Sequence, residues 1–171
     1  MANHIIAPLW SQFGASIDML ENAIIACPPN HWDTERKFWY NAYHTLFFLD
    51  YYLTLEPAAF APPSPFTDAE FGDELPERTY TKEELLDYLQ KCREKCRVLI
   101  AGISEHDLQR RWINVSGSMN YSVFELLLYN LRHVQHHAAQ LNLILRQEIN
   151  QAPRWVSRTK NGLDGKMIDG L

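Results

Sequence analysis

Residues 121–149, YSVFELLLYNLRHVQHHAAQLNLILRQEI, read as one uninterrupted helix. No Gly or Pro breaks the run. Ser122 and Glu125 stand at capping-box spacing, where the hydroxyl and the carboxylate each satisfy a free backbone N–H. Leu127, Leu131, Val134, Leu141 and Leu145 supply an apolar stripe at helical period. Three histidines sit within it: His133, His136 and His137. Residues four apart lie one above the other, so His133 and His137 project from one face. Two imidazoles at that spacing can grip one metal ion. His136 is rotated by about 100° from His137, which makes it second choice as a ligand. An HxxxH pair alone is equally compatible with histidines that hold no metal. A third ligand from another helix would decide between the two readings.

The rest of the composition bounds the answer. A chain of 171 residues favours one domain with a proper core. Hydrophobic residues at 46% and charged residues at 22% are ordinary for a soluble globular protein. The net charge of -5 argues against general nucleic-acid binding, which requires a basic footprint. No stretch approaches the roughly 18 apolar residues of a spanning helix, and MANHIIAPLW lacks the basic start of a signal peptide. The expected location is therefore cytoplasmic, with no membrane partner. Cys27, Cys92 and Cys96 make no disulfide framework, and their expected role is as small core residues.

In chain order, helix 1 is expected over 5–26, with Leu9, Phe13, Ile17, Leu20 and Ile24 on its buried face and Pro8 in its first turn. Helix 2 is expected over 34–55, capped by Asp33 or Thr34. It is aromatic on nearly every side, and His44 lies at its middle. A lone His there is more often a hydrogen-bonded core residue than a ligand. Yet each nitrogen of a buried imidazole needs a partner, and a metal on one with an acceptor on the other would satisfy both. Residues 56–78 carry five prolines and six acids and read as a crossover that Phe60, Phe66 and Phe71 pack down. Helix 3 begins at Thr81, with Glu84 completing a capping box, and ends near Gly102. A helical turn at 104–108 and an extended piece at 112–115 precede the last helix. Pro153 follows it, Trp155 and Val156 are expected to tuck in, and the domain spans 1–156 with a polar C-terminal tail at 157–171. His4, His31 and His106 read as solvated.

A His in mid-helix 2 followed by HxxHHxxQ in the last helix resembles the DinB-like superfamily of four-helix, three-His metal-binding proteins. His44 matches the family's first ligand, and His133 and His137 match its pair. His136 matches the extra His of the motif, and Gln140 matches its closing Gln. Ala138 and Ala139 stand where the family commonly has Arg-Gly. The resemblance implies an all-α four-helix bundle, up-up-down-down, whose long crossover between helices 2 and 3 joins parallel helices. It also implies a homodimer. Three imidazoles suit a divalent transition metal such as Zn, Ni, Fe or Mn, and three protein ligands leave a position open, as in catalytic sites. The implied activity is that of a thiol-dependent S-transferase or isomerase using a low-molecular-weight thiol, with hydrolysis second. His136, Asn130, Gln140, Tyr40 and Tyr51 are the candidates to line the site, and no residue stands out as a catalytic base. The alternative is a non-enzymatic, dimeric helical protein, binding or stress-related, with a structural or vestigial metal site.

Overall fold

The computed structural model describes residues 3–72 and 75–168. Four long helices carry the fold: α1 (Asn3–Ala26), α3 (Phe38–Tyr52), α4 (Lys82–Gly102) and α6 (Val123–Ile149). Between them lie two short helices, α2 (Pro29–Trp32) and α5 (Glu105–Gln109), and a two-stranded antiparallel hairpin of β1 (Arg111–Ile113) and β2 (Asn120–Ser122).

Local chemistry sets the boundaries. Thr81 and Glu84 form the expected capping box of α4, and Ser122 Oγ accepts from Glu125 N at the start of α6. The second expected helix is shorter than 34–55. Lys37 adopts a left-handed conformation with φ of 51°, so the chain turns before α3 begins at Phe38. Asp33 is not the cap. Its carboxylate accepts from the Trp39 indole at 2.8 Å and the Thr79 hydroxyl at 2.6 Å. These bonds tie the turn to the far end of the crossover.

α1 and α3 each pack against both α4 and α6. Cross-helix bonds give the directions. Arg93 meets Asp18 and Glu21, while Lys82 reaches the carbonyls of Ile25 and Cys27, so α1 and α4 run antiparallel. Trp39 and Tyr43, near the start of α3, pack on Tyr80 just before α4, and Thr54, just past the end of α3, pairs with Lys95 farther along α4, so α3 and α4 run parallel. Asn41 meets Gln140 and Leu49 meets Asn130, so α3 and α6 run antiparallel. The order is up-down-down-up, which corrects the expected up-up-down-down. The crossover does join parallel helices, as expected. Leu9, Phe13, Ile17, Leu20 and Ile24 are buried with Leu85, Leu89, Cys92 and Cys96 in one core.

The segment expected as a polar tail is docked as far as residue 168. Trp10 Nε1 donates to Asn161 O at 2.6 Å, and Thr159 N donates to Ser11 O at 3.1 Å. Trp155 corrects its expectation: it is 68% exposed. Val156 N is held on Met19 Sδ at 3.2 Å, which leaves the neighbouring indole outside. Thr159 is buried against Gly14, where an added Cβ would lie 2.6 Å from Thr159 Cγ2. Gly14→Ala is therefore expected to release the docked segment while keeping α1 helical. Tryptic cleavage at Arg158 and Lys160 should accelerate with far-UV circular dichroism unchanged; an unchanged cleavage rate would contradict the docking.

Candidate metal centre

The antiparallel contact of α3 with α6 is pinned where Asn130 Nδ2 donates to Leu49 O at 3.1 Å, wholly inside the protein. From that pin the helix period brings His133 and His137 of α6 opposite His44 of α3. The ring centroids are 5.6 Å apart for His44 and His133, 4.8 Å for His44 and His137, and 4.5 Å for His133 and His137. One nitrogen from each ring lies within 4.8 Å of the other two. The three residues whose sequence spacing matched a ligand set are therefore brought together across two helices.

Each imidazole has its own support. His44 Nδ1 lies 2.6 Å from Glu70 Oε2. The carboxylate only accepts, so Nδ1–H donates, and Nε2 is the nitrogen left for a ligand role. Glu70 stands in a 3₁₀ turn of the crossover, Ala69–Gly72, with its side chain only 2% exposed. His137 Nδ1 donates in the same way to Gln140 Oε1 at 2.7 Å. Asn41 Nδ2 of α3 lies 3.5 Å from that oxygen, linking the two helices once more. His133 Nδ1 is buried with no hydrogen-bond partner among the described residues.

Burial sets the protonation. Desolvation, reinforced by His137, His44 and His136, pushes His133 down to about 3. Desolvation and the His44 charge push His137 down to about 4, against the opposing pull of Gln140. Both rings are neutral near pH 7, which is the ligand form. The donor set fits a transition metal: three imidazoles, two of them oriented by a bond at the opposite nitrogen, and one with a polar atom left unpaired among the described residues.

The other expected site residues divide. Gln140 belongs to the site through His137. The His136 ring sits 5.0 Å from His137, but its side chain is exposed and it stands outside the group of three. Tyr40 packs on His44 with centroids 6.4 Å apart. Asn130 is a packing pin on Leu49. Tyr51 faces away, packing edge-to-face on Phe60, Phe71 and Trp112. Phe48 and Tyr52 wall the centre, with Phe48 4.9 Å from His44 and Tyr52 5.9 Å from His133. Sequence reasoning missed Glu70. The available signal was the second nitrogen of His44, which needs an acceptor, and an acid beside Phe71 in the crossover.

A family model described as the DinB superfamily matches residues 11–141, a span that contains all three imidazoles. The chain belongs to that superfamily. No curated protein and no solved structure matches it.

Depressed histidines make the metal-free protein sensitive to mild acid. The unfolded chain takes up protons below about pH 6.5, whereas folded His137 and His133 refuse them until about pH 4 and about pH 3. Stability is fully present above pH 6.5 and lost as pH falls, by up to about 1.4 kcal/mol per pH unit for each histidine. Urea unfolding of chelator-stripped protein at pH 7, 6 and 5 should show this slope, and His133→Leu should flatten it. Equal stability at pH 7 and pH 5 would contradict the buried, neutral pair.

Proposed function

We propose that this chain holds a divalent transition metal, Zn, Ni, Fe or Mn, on His44, His133 and His137, and serves as a thiol-dependent S-transferase or isomerase that uses a low-molecular-weight thiol. The observation that carries the reading is the convergence of three imidazole nitrogens within 4.8 Å across two helices. Three protein donors leave room for an outside ligand, the pattern of catalytic rather than structural centres. A bound cation would supply Lewis acidity, keeping a thiol as thiolate near neutral pH.

The protein's own part is positioning. Glu70 and Gln140 fix the ring planes of His44 and His137 and leave Nε2 of each for a ligand role. Phe48 and Tyr52 exclude water from one side of the rings. Hydrolysis ranks second, because the buried carboxylate nearest the centre, Glu70, is engaged by His44. The four-helix bundle and the homodimer implied by the family are part of the same reading. Leu128, Leu143 and Trp155 are exposed apolar side chains available to a second copy.

Elemental analysis of untagged protein, purified without chelator, tests the proposal. The expected result is nearly one transition metal per chain, lost in His133→Ala, together with metal-dependent consumption of a small thiol in the presence of an electrophile. Protein that contains no metal and takes up none when Zn, Ni or Mn is added would refute it.

A further inference from the structure

The α3 positions 44, 48 and 52 form a line one helical turn apart. His44 belongs to the imidazole cluster, and Phe48 and Tyr52, whose rings stack 5.7 Å apart, continue the line into a cleft of about 490 Å³, in the range of small-ligand sites. Its other walls are Tyr51 and, from the crossover, Phe71. Asn114 and Ser116, from the turn of the hairpin, form its rim, where their side chains bond to each other at 3.0 Å. Phe71 directly follows Glu70, so one 3₁₀ turn both orients a histidine and closes the cleft.

Among the described residues, none that lines this cleft carries a charge. An ionised ligand entering it would lose hydration with no opposite charge to replace it. Rings at several angles offer faces and edges for a flat π-system, and the amide and hydroxyl at the mouth suit one neutral polar substituent.

We propose that this cleft binds the acceptor substrate, and that the acceptor is a neutral, flat, aromatic or conjugated small molecule. The proposal deepens the S-transfer reading and rests on it only for the reaction; binding itself needs no metal. The charged thiol would then approach from the imidazole side, outside the cleft.

The test uses two probes with the same rings on full-length, metal-free protein: neutral N-phenyl-1-naphthylamine and its sulfonated counterpart, 1-anilinonaphthalene-8-sulfonate. The neutral probe should bind saturably with a rise in fluorescence, and the sulfonate at least about tenfold more weakly. Phe71→Ala and Val115→Asp alter exposed side chains on opposite sides of the cleft, at 52% and 77% exposure. Each should weaken the neutral probe about tenfold, with circular dichroism and metal uptake unchanged. No binding of the neutral probe, equal affinity for the two probes, or affinity unchanged in both variants would overturn the assignment. Failure of the S-transfer reading would appear separately, as absence of metal uptake with probe binding intact.

Discussion

Three imidazoles held side by side in a part-buried space cannot all carry charge. Their mutual repulsion and the loss of hydration both favour the neutral rings, and two of the three are pushed to about 3 and about 4. Much of the surrounding structure answers to that constraint. A neutral imidazole still has one donor and one acceptor nitrogen to satisfy. Glu70 and Gln140 take the donors of His44 and His137. One nitrogen of each ring converges with the others between α3 and α6, within 4.8 Å, an arrangement that could hold a cation.

The crossover is what makes a carboxylate available on the α3 side. It is anchored by aromatic packing: Phe66 stacks on Tyr88 at 4.5 Å and on Tyr43 at 5.8 Å, and Tyr43 donates to Thr67 O at 2.9 Å. With the backbone fixed there, Glu70 turns inward and Phe71 lies across Phe47, Phe48 and Tyr51. A segment rich in proline and acid thus acts as a shaped wall. The parallel course of α3 and α4, bridged by Lys95 on Asp50 and Thr54, requires a connection long enough to supply it.

Periodicity made α1, α4 and α6 legible, because each buries one face at a regular spacing, while α3 was marked by aromatic side chains on nearly every side. HxxxH and the central His44 made the imidazole group legible through family resemblance and ligand arithmetic. What escaped depended on tertiary choices. The left-handed Lys37 cost the second helix its expected start, and nothing in the local sequence demands that conformation. The directions of the helices followed from ion pairs such as Arg93 with Asp18 and Glu21, which no single helix reveals. Glu70 looked like one acid among several in the crossover, and only the packing around it distinguishes it. Residues 157–168 read as polar, but dock through backbone hydrogen bonds that composition does not record.

The central claim is that one metal ion sits on these three imidazoles. X-ray absorption at the metal edge, on protein loaded with a single equivalent and without added thiol, addresses it directly. The account predicts a first shell of nitrogen and oxygen, with outer-shell scattering from three imidazole rings that falls to two in His44→Ala. Sulfur in the first shell, or the same ring count in wild type and His44→Ala, would contradict it.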